Sequence, residues 1–205
     1  PAMNAVIAAR MASKGYNGPS DIFESKDGLL HAYSYLDHYD SKFITEGLGE
    51  EWTFAKSSIK VYPCCRYSGG HIDACLEIVN KYHPNAEDIE KIDILSSKYT
   101  MHLLAEPCKW SPRNIVDLQF SMPFQAAVAF KNGKVTVDEF DVAYIDDELI
   151  KRLMAHTTVA MDEEFERRYP AHYSSAVTIT MKDGTTYSAT VDDPKGDWRN
   201  PVTYE

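Results

Sequence analysis

Residues Lys60 to Ala74 read KVYPCCRYSGGHIDA. These fifteen residues gather a lysine, an arginine, two cysteines and a histidine around one proline and a Gly-Gly step, just ahead of an apolar-periodic run. Ile72, Cys75, Leu76, Val79 and Tyr82 recur at the spacing of one helix face. Ser68 stands where an N-cap belongs, and Pro84 closes the run. Upstream, residues 53–62 alternate enough to predict a strand that Pro63 ends. The stretch thus hands a strand over to a helix, and the first amides of a helix favour negative charge because they lack intrahelical partners. Cationic side chains at that place read as an anion site.

The chain on either side has two textures. Residues 2–14 form an expected helix, apolar on most faces and stopped by Gly15, which asks to be buried. A second short helix is expected at 29–37, and 40–51, with Gly47 and Gly49, reads as a connector holding a domain boundary. Beyond it, Ile92 and Ile94 mark a strand. Residues 113–131 are helical but interrupted, with Pro123 in the first turn of a helix that Ser121 caps and Asn132-Gly133 ends. Asp146-Asp147 opens another helix, apolar at Leu149, Ile150, Leu153 and Met154. Val177, Ile179 and Met181 alternate into Asp183-Gly184, and Tyr187, Ala189 and Val191 alternate back, as a hairpin does. The expected fold class is α+β over 52–195, with 1–45 as the edge of a helical region.

Composition narrows the function classes. The chain has 205 residues, 44% apolar and 25% charged, as in an ordinary globular protein. No run approaches the roughly eighteen apolar residues of a membrane helix, and the start lacks a signal-peptide layout, so the expectation is a cytoplasmic protein with no membrane partner. A net charge of −10 with dispersed basic residues argues against nucleic acid. Any anion site must then be a local pocket built from Lys60, Arg66 and helix amides. Cys64, Cys65, Cys75 and Cys108 form no CxxC pair and read as reduced thiols. Cys64, Cys65, His71 and Cys75 fit no zinc spacing, so no metal is expected. Nucleotide-binding and serine-hydrolase motifs are absent.

Four passages, in order, carry a family likeness. Lys60-x-Tyr62-Pro63-x-Cys65-Arg66-Tyr67 followed by Ile72-Asp73-Ala74 resembles the lid signature of the MmgE/PrpD family. That family includes 2-methylcitrate dehydratases, cis-aconitate decarboxylases and iminodisuccinate epimerases. Gly15-Tyr16-Asn17-Gly18-Pro19 with Ile22-Phe23-Glu24 and Asp27-Gly28, Asp117 through Phe124, and Pro194-Lys195-Gly196-Asp197 with Asn200-Pro201 resemble three further family passages. The resemblance implies a lid at 46–195, the tail of a helical domain at 1–45 and a return toward it at 196–205. It also implies a piece of a longer, homodimeric enzyme, whose second copy or remaining half would cover the apolar helix at 2–14.

The same resemblance implies a cofactor-independent lyase that removes a proton next to a carboxylate of a small di- or tricarboxylate. Dehydration comes first, with decarboxylation and epimerisation as alternatives, and a non-catalytic lid or dimerisation module as the reading of another class. Lys60 is then the catalytic candidate, holding a carboxylate or stabilising an enolate-like intermediate. Arg66, Cys65 and His71 are the substrate-binding candidates, Arg66 as a bidentate clamp. Each has a plainer alternative: a solvated lysine, a surface ion pair, a packed thiol and a structural histidine. Two departures stand out. Gly69 occupies the place of the family's histidine after Arg-Tyr, and Phe124 that of a tyrosine, whose phenol could donate a hydrogen bond where a phenyl ring cannot.

Overall fold

A computed structural model describes residues 1–34 and 39–203 of the chain. It divides into two compact units, Pro1–Thr53 and Phe54–Glu205.

The first unit begins with α1 (Ala2–Ala12), whose end is turned by Gly15 at φ +85°. None of its residues is buried, so the expectation of a covered helix is not met within this chain. Next comes α2 (Leu29–Tyr33). The rest of the helix expected over 29–37 falls on 35–38, outside the described residues.

The second unit opens with a correction. Residues 57–61 join no ladder, and Thr53–Lys56 is a 3-10 turn, so the strand expected over 53–62 does not form. Alternation makes a strand only where a neighbouring strand accepts it; here Ile59 donates its amide to the Gly196 carbonyl (2.8 Å) in a turn. A 3-10 turn at Arg66–Ser68 then feeds α3 (Gly69–Tyr82), which ends at left-handed His83 just before Pro84. Ser68 already has helical φ/ψ, so its side chain does not cap α3. Its Oγ lies buried beside the Cys64 thiol without a well-formed hydrogen bond.

The remaining elements are β1 (Ile89–Ser96), α4 (Lys98–Leu104), α5 (Ile115–Gln119), α6 (Met122–Asn132), α7 (Glu148–Ala155), β2 (Thr157–Met161), α8 (Glu163–Arg168), β3 (Ser175–Met181) and β4 (Thr186–Val191). Caps set several of these boundaries. Ser121 Oγ accepts from the Phe124 amide at 3.2 Å, and Asp147 accepts from the Ile150 amide at 3.0 Å. The sheet order is β2-β1-β3-β4. β1 and β2 are parallel, with Ile94 opposite Val159, while β1–β3 and β3–β4 are antiparallel. A parallel pair needs a long crossover, and residues 97–156, carrying α4 to α7, supply it. The result is a mixed α+β fold.

One sheet face is packed. Val177 and Ile179 of β3 and Ile92 and Ile94 of β1 are buried with Ile72 and Ile78 of α3. α3 lies against β3, β4 and α6, and α6 against α3 and α7. Burying a side chain of this size contributes about 1.5–3 kcal/mol, so this layer holds the start of α3 in a fixed place. No helix among the described residues is long and apolar enough to cross a membrane.

Candidate anion-binding site

The start of α3 is stitched to three other segments. Gln119 of α5 donates its side-chain amide to the Pro63 carbonyl (2.8 Å) and accepts the Cys65 amide on its own carbonyl (3.1 Å). Asp73, in the first turns of α3, accepts the Tyr62 phenol on one oxygen and the Lys195 amide on the other, the latter at 2.6 Å. Burial and this carboxylate together push the Tyr62 phenol well above its ordinary pKa, so it stays a donor.

The third segment is the turn Pro194–Asn200, closed on itself by Gly196 N–H to the Asn200 carbonyl (2.8 Å). Gly196 has φ +90°, and a Cβ there would stand 2.1 Å from the Ile59 carbonyl oxygen. Only glycine lets the two backbones meet this closely. Gly69 serves the same docking, because a Cβ on it would lie 2.8 Å from Pro194 Cβ and 3.3 Å from Arg66 Nη1. The space a side chain at position 69 would take is thus filled by a proline ring and a guanidinium.

These contacts bring Lys60, Tyr62, Cys65, Arg66, Gly69 and Lys195 around one crevice. Its volume is about 10 Å³, room for roughly one water. Arg66 is held in place. Its Nη2 donates to Asp197 Oδ2 (3.2 Å) and Ser58 Oγ (3.1 Å), and its guanidinium stacks 5.2 Å from the Tyr173 ring centre. Asp197, nearly fully buried, also accepts Ser58 Oγ and the Arg199 amide. The Lys60 and Lys195 ammonium groups have no hydrogen-bond or ion-pair partner among the described residues, although Lys60 lies close enough to Cys64 to favour its thiolate. Burial nonetheless pushes the Cys64 thiol up to about 11, and Cys75, fully buried, is raised further. Cys65 is half-buried at the crevice, and all four cysteines are free.

His71 is a correction. Its side chain is fully buried and belongs to the helix face that carries Cys75 and Ile78, not to the crevice. Gln125 of α6 fixes its state. The Gln125 Nε2 group donates to the Leu118 (3.3 Å) and Gln119 (2.9 Å) carbonyls, which turns its Oε1 toward His71 Nε2 at 3.0 Å. His71 is therefore the donor, neutral, with a bare Nδ1 that has no partner. Burial lowers its pKa to about 4, the Gln125 hydrogen bond opposing the shift.

Phe124 is likewise interior: it is fully buried, 6.1 Å from the Phe140 ring, and sits away from Lys60 and Arg66. Among the described residues, no group of three His, Cys, Asp or Glu is placed to hold a metal ion. Sequence reasoning missed Lys195, Asp73, Asp197 and Ser58. Asp73 and Asp197 lie inside quoted motifs, but nothing local told which cation or phenol each would meet.

The chain is an α+β protein with a cationic crevice at the start of α3. Residues 62–205 match the MmgE/PrpD C-terminal domain, and the chain belongs to the MmgE/PrpD family. It is similar to the cis-aconitate decarboxylase-like protein oryM of Aspergillus oryzae, 26% identical over 216 residues that cover 98% of this chain and 44% of that protein. It is also similar to cis-aconitate decarboxylases of Aspergillus terreus, at 24% and 25% identity over 95% of this chain and 42% of each relative. The chain thus spans less than half the length of the curated relatives it matches.

Proposed function

We propose that the protein containing this chain is a cofactor-independent lyase acting on a small di- or tricarboxylate, with Lys60 and Arg66 gripping carboxylates at the crevice. The observation that carries the reading is that both cations line one crevice in a chain of net charge −10. Lys60 is the catalytic residue of the pair. Once a proton leaves the carbon next to a carboxylate, negative charge moves onto the carboxylate oxygens, and an ammonium without a counter-ion stabilises it most. Arg66, already oriented by Asp197, offers its remaining N–H groups to a second carboxylate, and Cys65 lines the wall.

The proton-abstracting base lies outside this crevice. Asp73 and Asp197 are engaged, and His71 is buried with its pKa held near 4. The family resemblance puts the base in the part of the protein beyond this chain. Loss of water completes the reaction in the dehydratase reading. Loss of carbon dioxide, with a proton returned to the carbanion it leaves, is the second reading, favoured by relatives named for cis-aconitate decarboxylase. Domain limits of 1–45, 46–195 and 196–205, a homodimer and a cytoplasmic location belong to the same proposal.

The test is turnover of the full-length protein on citrate, 2-methylcitrate, cis-aconitate and iminodisuccinate. Lys60→Ala should lower turnover of the accepted substrate by about 10²–10³-fold, as loss of an oxyanion-stabilising donor does, with cooperative unfolding retained. Near-normal turnover would remove Lys60 from the mechanism.

A further inference from the structure

We propose that Lys195 is a second substrate-gripping cation, and that Lys60 and Lys195 together bind two carboxylates of one small polycarboxylate. This rests on reading the crevice as a carboxylate site.

Three observations carry it. First, Lys195 lines the same crevice as Lys60 although it lies far along the chain, and its side chain is exposed there without a counter-ion among the described residues. Second, its backbone is not free to drift. The Lys195 amide is held by Asp73, whose other oxygen takes the Tyr62 phenol two residues from Lys60, so one carboxylate ties both lysine-bearing segments to α3. Gly196 pressed on the Ile59 carbonyl and Pro194 packed over Gly69 seat the turn from both sides. Third, the local charge runs against the whole. The chain has 31 acidic and 21 basic residues, yet Asp73 and Asp197, the acids bonded to residues of this rim, are spent on Tyr62, Lys195 N–H, Arg66 and Arg199.

Two ammonium groups left uncompensated on one rim repel each other, and a ligand with two carboxylates relieves both at once. Arg66 differs from them: its charge is already matched by Asp197, and it serves as the strut between α3 and the turn as well as a hydrogen-bond donor to a carboxylate. Lys195 thereby selects for charge number. A substrate with a single carboxylate would satisfy Lys60 and gain nothing from Lys195.

The test uses the full-length protein, calorimetric binding of tricarballylate (a saturated tricarboxylate) and steady-state kinetics on cis-aconitate. Lys195→Ala should weaken tricarballylate binding and raise KM by roughly tenfold, with kcat within about threefold, and Lys195→Arg should restore most of both. If Lys60→Ala loses tricarballylate affinity but Lys195→Ala keeps wild-type affinity and KM, the Lys195 proposal is overturned and the crevice reading survives. If the unmutated protein binds no tricarballylate, or both alanine variants bind it as tightly as the unmutated protein does, the carboxylate reading of the crevice fails and takes this proposal with it.

Discussion

α1 and α6 are both eleven residues long and both apolar nearly all round, yet they meet opposite fates. Every residue from Met122 to Phe130 of α6 is buried, whereas no residue of α1 is, Met3 being 72% exposed. α6 has α3 on one side and α7 on another, a serine cap at its start and a glycine at its end. α1 starts at Pro1 with no side-chain cap. An isolated helix of this length is marginal in water, so an apolar sequence earns stability only from surfaces that close on it. Apolarity states a demand, and packing decides whether it is met.

The sharpest way to break that comparison is to truncate one side chain in each helix. Phe124→Ala should cost about 3–5 kcal/mol in urea unfolding of this chain, because it opens a cavity between α6 and Phe140. Val6→Ala should change stability by less than about 0.5 kcal/mol. Equal costs would mean that α1 is packed as firmly as α6.

Next in size is the pH response of the polar pair between α3 and α6. His71 has a folded pKa near 4, below the unfolded value of about 6.5, because burial disfavours its charged form. Between those values the unfolded chain binds more protons, so the contribution is present above about pH 6.5 and is lost as pH falls toward 4. The full window is worth on the order of 3 kcal/mol. Urea midpoints at pH 7 and pH 4.5 should therefore separate by less in His71→Gln than in the unmutated chain. An unchanged separation would place the acid sensitivity elsewhere.

Two glycines extend the contrast to the backbone. Gly15 and Gly196 both have positive φ, but a Cβ on Gly15 meets nothing within 4 Å, while one on Gly196 runs into Ile59. Gly196→Ala should cost about 1–3 kcal/mol and Gly15→Ala less, measured by thermal unfolding. The smallest effect concerns the caps. Ser121→Ala should cost about 1 kcal/mol, since the Phe124 amide loses its acceptor, and the loss should appear as a lower urea midpoint.

Much of the second unit was legible because its signals are local. The Ser121-x-Pro123 start of α6, the Asp147 cap of α7, the Ile72 and Cys75 positions on the buried face of α3 and the Asp183-Gly184 turn each depend on residues within a few positions. β2 was not legible. TTVAM is five residues long and becomes a strand only by lying parallel to β1, some sixty residues earlier. Residues 53–62 fail in the opposite sense, with alternation but no partner. His71 could have been read inward, since Cys75 and Ile78 follow it at helical spacing on the buried face.

Residue types and their order determined by themselves that cations would gather at the start of a helix on an α+β layer, because helix periods, caps and turns act over a few residues. The tertiary structure alone decided which cations share the crevice, which carboxylate neutralises Arg66 and which one holds the Lys195 backbone amide. Arg66 and Asp197 are 131 positions apart, and Lys195 and Asp73 are 122 apart. Charge pairing depends on distance in space, and no local pattern along the chain encodes that distance until the core has closed.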